Sequence, residues 1–486
     1  MPTRREFLAG AASAALLNAA PGAPSPYGAL PSARQLRWHE LETYAFLHFT
    51  VNTFTDKEWG YGDEDPSVFH PTAFDPDQIV SALAAAGMTG VILTAKHHDG
   101  FCLWPTNTTD HSVRNSSWRS GKGDVVRDIS AAAHRAGLKF GVYVSPWDRN
   151  NAHYGQPEYV EIYRAQLREL LTGYGPIFEV WHDGANGGDG YYGGARQKRL
   201  IDKATYYRWP ETWDMIRSLQ PDAVIFSDVG PDIRWVGNEK GIAGETCWET
   251  FAPVGEHGGP AAPGDVRTAG SNTGTRNAPR WIPPECDVSI RPGWFWHARE
   301  NDRVKTPDQL LDLYFKSVGR GASLLLNVPP DQRGLLHDND VAALRAFGDK
   351  KRALFKSNLA RDARLTASNV RAGRAEFGPR NLVDGDRDSY WATDDSVTTP
   401  SVELQFSRPA TFQVVRIREN IRLGQRIEAF AVDTWNDAAW RTAAEATSIG
   451  NCRLLRLSEP VTTSRVRLRI TKSPVCPAIS ELALFA

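Results

Sequence analysis

Hydrophobic positions fall into two regimes along the chain. Between about 40 and 330, short uninterrupted apolar runs recur at 44–49 (YAFLHF), 90–95 (GVILTA), 139–144 (KFGVYV), 177–181 (IFEVW), 223–227 (AVIFS) and 322–328 (ASLLLNV). Strands that are apolar at every position are covered on both faces, as parallel strands are. The segments between them carry helix punctuation. At 75–86, Asp75 stands as an N-cap, Pro76 occupies the first helical position and Gly87 lies just past the end. The stretch 124–136 closes on Gly137 in the same way, and 158–171, 206–219 and 307–318 are also helical in pattern. Strand–helix units repeated in this way predict an α/β fold of the (β/α)8-like barrel type. The competing open doubly wound sheet would want a glycine-rich phosphate loop after its first strand. The sequence there, HFTVNTFTDKEWG, has none.

The second regime begins near 358, after a last helical stretch at 341–356. Short alternating runs follow at 402 (VELQF), 412 (FQVVRIR), 427 (IEAFAV), 453 (RLLRL), 464 (SRVRLRI) and 481 (ELALF), separated by turn residues. Period-2 alternation with frequent turns predicts an all-β sandwich over 358–486. The barrel is assigned to 32–357. Residues 1–31 are set apart: Arg4 and Arg5 precede a weakly apolar stretch to Leu17 and a Pro/Gly-rich linker at 21–31. That stretch is too short to span a bilayer, and it resembles a twin-arginine export signal, which implies a periplasmic or secreted protein.

Composition narrows the partners. Lys and Arg total 56 against 57 Asp and Glu, a net charge of -1, which excludes a generally basic nucleic-acid binder. No later run is long enough for membrane insertion. The 486 residues would suit about three domains on length alone, whereas the pattern resolves two behind a leader. There are 16 Trp, enough for core filling and for stacking on flat ligands. The five Cys form no CxxC pair, so a zinc ribbon or finger is not expected; Cys452 and Cys476 are left as a possible pair.

A barrel carries its chemistry at the C-terminal ends of its strands. Reading those ends in order gives His48, with Glu58 and Trp59 in the following loop, then His97, His98 and Asp99, then Tyr143, Trp147 and Asp148. Next come Trp181 and Asp183, then Asp228 with Glu239 and Glu245 in its loop, and last Arg291, Trp294, Trp296 and His297. Trp181 and Asp183, two apart, share one face of an extended backbone. Adjacent histidines in an extended segment point to opposite faces, so His97 and His98 are not expected to reach one metal, and no catalytic metal is expected. Imidazole, indole, guanidinium and two carboxylates on one rim suit a sugar and the cutting of its glycosidic bond.

Six segments, LHFTVNTFTDKEWG, TAKHHDGFCLWPT, GVYVSPWD, EVWHDGA, FSDVGPDIRWVGNEKG and ECDVSIRPGWFWH, resemble the catalytic barrel of glycoside hydrolase family 29, the α-L-fucosidases. The last two resemble the subfamily acting on α-1,3- and α-1,4-linked fucose of branched oligosaccharides. The resemblance implies a retaining hydrolase with Asp183 as nucleophile and Glu239 as acid/base, Glu245 being the alternative. It also implies that His48, Glu58, Trp59, His97, His98, Tyr143, Trp181, Arg291 and Trp296 hold the fucosyl unit. Asp99 and Asp228 are read as structural. A non-catalytic fucose-binding protein, or a retaining barrel hydrolase for another sugar, would share the fold. In the second regime ASNV (367–370), NLVDGDRDSYWAT (381–393) and ISELALF (479–485) resemble a discoidin-type sandwich related to carbohydrate-binding module family 32. That likeness implies a possible structural Ca²⁺ on Asp384, Asp386 and Glu481, whose hard oxygen donors would suit it. No cofactor is expected for catalysis.

Overall fold

The computed structural model describes residues 22–436 and 438–486; the export-signal reading of Arg4 to Leu17 lies outside them. The barrel opens with helix α1 (Ala33–His39), strand β1 (Thr43–Leu47), the short helix α2 (Val51–Thr55) and α3 (Pro76–Ala85). It continues through β2 (Gly90–Lys96), α4 (Val125–Arg135), β3 (Lys139–Val144), α5 (Pro157–Gly173) and β4 (Ile177–Trp181). A small hairpin, β5 (Gly188–Gly190) with β6 (Gln197–Arg199), precedes α6 (Trp209–Leu219), β7 (Val224–Ser227), β8 (Ile233–Trp235) and β9 (Pro284–Ser289). The last elements are α7 (Pro307–Lys316), β10 (Ser323–Asn327) and α8 (Asp338–Leu354). Eight parallel strands close in the order β1-β10-β9-β8-β7-β4-β3-β2.

The expected caps form. The Asp75 carboxylate accepts from the N–H groups of Asp77 and Gln78, and Asp124 accepts from Arg127 N–H. Helix α6 starts later than its pattern suggests, because Arg208 adopts a left-handed conformation and Pro210 sits in the first turn. Six of the eight barrel strands coincide with the continuous apolar runs. The other two, β8 and β9, do not read as such. β8 is three residues long, and β9 (PECDVS) sends Glu285 and Asp287 into the barrel interior and its cavity. The helices cover the outside of the strands in one large apolar cluster. The barrel interior holds a second, aromatic one, with Tyr44, Phe46, Tyr143, Trp181 and Phe226.

The C-terminal module is an antiparallel β-sandwich: β11 (Arg364–Ala367), β12 (Trp391–Ala392), β13 (Ser401–Glu419), β14 (Ala429–Trp435), β15 (Trp440–Thr447), β16 (Arg453–Lys472) and β17 (Ala478–Phe485). Runs that read as separate short strands are halves of two long ones, β13 and β16. Their pairing breaks register between Gln405 and Ala410, where exposed residues interrupt the alternation. Trp391, Phe412 and Phe430 fill its core.

The two modules share buried surface. Val414, Cys452, Leu454, Ala483 and Phe485 join the core cluster of the barrel. Glu42 pairs with Arg387 and Arg418, Gln425 bridges Glu249 N–H and the Cys247 carbonyl, and Leu454 N–H donates to Gly319. The segment read as a linker lies along the sandwich: Tyr27 N–H donates to the Leu423 carbonyl and Arg426 donates to the Ser25 carbonyl.

Two expectations meet different geometry. All five cysteines are free and buried, Cys452 in the barrel-facing core and Cys476 beside Asp395 and Arg426. The three carboxylates considered for Ca²⁺ are engaged elsewhere. Asp384 and Asp386 accept N–H groups of their own turn, and Glu481 lies between the guanidinium groups of Arg416 and Arg418, which supply the positive charge. Among the described residues no cluster of His, Cys, Asp and Glu is arranged to hold a metal, and no helix is long and apolar enough to cross a membrane.

Candidate active site

A cavity of about 320 Å³ opens at the C-terminal ends of the barrel strands. Asp183 lies on its wall, two residues beyond β4. Its Oδ1 accepts from Ala185 N–H at 2.7 Å and its Oδ2 from the Tyr143 hydroxyl at 2.9 Å, with His98 Nε2 3.7 Å away. Burial raises the Asp183 pKa above the usual carboxylate value, and the two donors oppose that rise. Trp181 shares the cavity with Asp183, as the two-residue spacing requires. Its ring stacks on Phe226 at 4.2 Å and on Tyr143 at 5.2 Å.

The histidines are held neutral. Burial lowers His48 and His98 to about 3, and His97 falls well below its ordinary value for the same reason. Their tautomers follow from donor counting. The Asn327 amide donates to Ser289 and to the Trp294 carbonyl, so its oxygen accepts from His48 Nδ1–H at 2.8 Å. Ser145 Oγ donates to the Trp147 carbonyl, so it accepts from His98 Nδ1–H at 2.7 Å. In both rings Nε2 is left as an acceptor for a hydroxyl. His97 and His98 both line the cavity, contrary to the alternation argument, because β2 ends at Lys96 and the chain turns there.

Glu58, Trp59 and Glu239 complete the wall, with Trp59 53% exposed at the mouth. Glu239 lies in the loop after β8 and accepts from Trp294 Nε1 at 3.3 Å. Glu245, its alternative, is outside: its side chain is 82% exposed and pairs with Arg320 beside the sandwich. Asp99 stays structural, bound to Thr50 and Phe101 N–H.

Two expected sugar contacts do not line the cavity. Arg291 is completely buried and spends its guanidinium on Asp340 of α8 (2.7 Å) and on Asn301 (3.1 Å). It anchors the 289–301 segment instead. Trp296 is half-buried away from the lining, and Trp294 takes that place. The segment is a series of bends rather than a strand, so spacing by two does not bring both indoles inward.

Two carboxyl groups enter the wall unforeseen. Asp228, expected to be structural, lines the cavity with one oxygen bound to Gly264 N–H and the other without a partner; burial lifts its pKa to about 7. Asp287 on β9 accepts from Trp235 Nε1 at 2.7 Å, and burial pushes it well above the ordinary carboxyl value. The alternation within ECDVS was the available signal for Asp287; Asp228 had only its place after a strand.

A parallel barrel with ionisable carboxyls, neutral imidazoles and indoles around one cavity defines a glycoside hydrolase. The chain belongs to the alpha-L-fucosidase family, whose model matches residues 29–350, and the F5/8 type C domain model matches 364–482. It is 44% identical to alpha-L-fucosidase 1 of Arabidopsis thaliana over 466 residues, 95% of this chain and 88% of the relative. A glycoside hydrolase 29 family member from an unknown rumen bacterium superposes with TM-score 0.83 at 42% identity, covering 95% of this chain and 78% of the other. A Ruminococcus gnavus GH29 fucosidase, solved in complex with fucose, superposes with TM-score 0.84 at 32% identity, covering 95% and 96%.

Proposed function

We propose that the enzyme releases terminal α-1,3- and α-1,4-linked L-fucose from branched oligosaccharides or glycoconjugates by double displacement with retention. The observation that carries this reading is the Asp183 carboxylate, held by Tyr143 and Ala185 N–H in a cavity that also holds Glu239. Asp183 attacks the anomeric carbon while Glu239 passes its proton to the leaving oxygen. Water, deprotonated by Glu239, then releases fucose from the covalent intermediate. Retention asks for carboxyl groups roughly 5–5.5 Å apart in the productive complex. The Nε2 atoms of His48 and His98 accept from sugar hydroxyls, and Trp59 and Trp181 cover the apolar face. The motifs around Glu239 and Arg291 support the linkage preference, and Arg4–Arg5 supports action outside the cytoplasm.

The test is a Lewis-type trisaccharide followed by NMR. The first-formed anomer should be α-L-fucose, and an aryl α-L-fucoside should be cut less well. Azide should restore turnover to Asp183→Ala as the inverted glycosyl azide, and to Glu239→Ala with retention. A β-anomer as first product, or restoration in neither variant, rejects the mechanism.

A further inference from the structure

His297 lies just outside the cavity, and its surroundings fix its charge by geometry. Its side chain is 1% exposed, yet both ring nitrogens face carboxylates: Nδ1 is 2.5 Å from Asp56 Oδ1, and Nε2 is 2.6 Å from Glu58 Oε1. Both carboxylates also accept from other donors. Asp56 also accepts from Arg299 at 2.6 Å, and Glu58 also accepts from the N–H groups of Trp294 (2.8 Å) and Phe295 (3.3 Å). A neutral imidazole has one N–H and cannot donate to both. The ring that satisfies this geometry is imidazolium.

The contact joins two segments that build the cavity mouth. Asp56 is the left-handed C-cap of α2, followed by Glu58 and Trp59; His297 ends the segment that supplies Trp294, the donor to Glu239. The remaining charged groups nearby are Arg291, whose Nη1 reaches the His297 carbonyl, and Glu300, which accepts from Gly293 N–H. Losing one proton from the ring would set a lone pair against a carboxylate on one side.

We propose that His297 is a positioning residue that works doubly protonated. It aims Glu58 into the sugar site and locks the two mouth segments together. The inference rests on the fucosidase reading for what Glu58 contacts, but the protonation state does not.

Histidine-selective ¹⁵N labelling of the intact protein tests that state directly, with the His297 signal identified by its absence in His297→Gln. Both nitrogens should be protonated at pH 6. In parallel, kcat and KM for the trisaccharide are compared at pH 6 for the parent and His297→Gln. KM should rise about tenfold in the variant, because Glu58 is no longer held, and kcat should be less affected. Asp56→Asn removes one anion from the ring and does not touch the cavity. It should raise KM less than His297→Gln does, because Nε2 still reaches Glu58, with kcat within twofold of the parent. A singly protonated ring at pH 6 overturns the proposal, as does a KM of His297→Gln within twofold of the parent's. Absence of trisaccharide cleavage by the parent enzyme would reject the fucosidase reading while the ring's charge state was still measured.

Discussion

Single protons decide what the cavity can do. On the double-displacement proposal Asp183 must be ionised to attack; burial favours its neutral form, and among the described residues the Tyr143 hydroxyl and Ala185 N–H are the donors that hold the charge. A hydrogen bond to a charged group is worth roughly 1.5–3 kcal/mol, which is about 1–2 pKa units. Tyr143→Phe keeps the ring and deletes the donor. The Asp183 pKa then climbs further, so the acid limb of kcat/KM moves to higher pH by about that amount, with kcat lowered at pH 5 more than at pH 7. A pH–rate profile of the variant that overlays the parent's would show that the hydroxyl does not stabilise the anion. Much of the cavity lining was legible in the sequence, since His48, His97, His98, Tyr143, Trp181 and Asp183 all lie at or just past strand ends. Arg291 and Trp296 were not legible. The first is claimed by Asp340, 49 residues away, and the second is turned by bends that no periodicity announces.

Among the strands, β4 and β9 make the barrel interior partly polar, although of the two only β9 escaped a hydrophobic reading. Each sends a glutamate into the interior, Glu179 and Glu285, both fully buried. Trp38 donates to Glu179, Tyr44 and Trp181 donate to Glu285, and one Glu179 oxygen faces no ordinary donor. Burial pushes both upward, and the neighbouring Glu285 carboxyl raises Glu179 further, so Glu179 is the member of the pair that holds its proton more tightly. Since Trp181 walls the cavity and donates to Glu285, this polar pair fixes a cavity-lining indole from inside the barrel. Carboxyls whose pKa is raised on folding make the native state bind more protons than the unfolded one, so stability falls as pH rises above about 4.5. Glu179→Gln has no such proton to lose and keeps a donor for Glu285. Thermal unfolding from pH 5 to 8.5 should therefore show the variant losing less stability than the parent, the gap reaching on the order of 1–2 kcal/mol near pH 8. Parallel curves would mean that Glu179 is already ionised in the folded protein.

The two modules are joined by both apolar and charged contacts, several of them beside the start of β1 and the turn before β10. The composition shift near 358 located the change of architecture, but nothing in either half announced the contacts, which pair residues hundreds of positions apart. Glu42, at the turn into β1, is the charged centre of that junction, with Arg418 (4% exposed side chain) and Arg387 as partners. Burial alone would raise its pKa, but the two arginines outweigh it and hold the carboxyl at about 2. A depressed carboxyl contributes stability above its unfolded value near 4.5 and loses it as pH falls toward 2. Glu42→Gln takes one of two anions from the buried Arg418, which keeps Glu481, so the cost should fall below the ~3–5 kcal/mol of breaking an isolated buried pair. Calorimetry at pH 7 should show a single transition for the parent and a lowered one for the variant, splitting where sandwich and barrel no longer melt together. The difference between the two proteins should shrink as pH drops from 5 to 2.5, because over that window the unfolded parent takes up a proton at Glu42 while the folded one still holds it ionised. A difference that persists unchanged to pH 2.5 would mean that the apolar residues, Leu454 and Phe485 among them, hold the modules together without help from the ion pair.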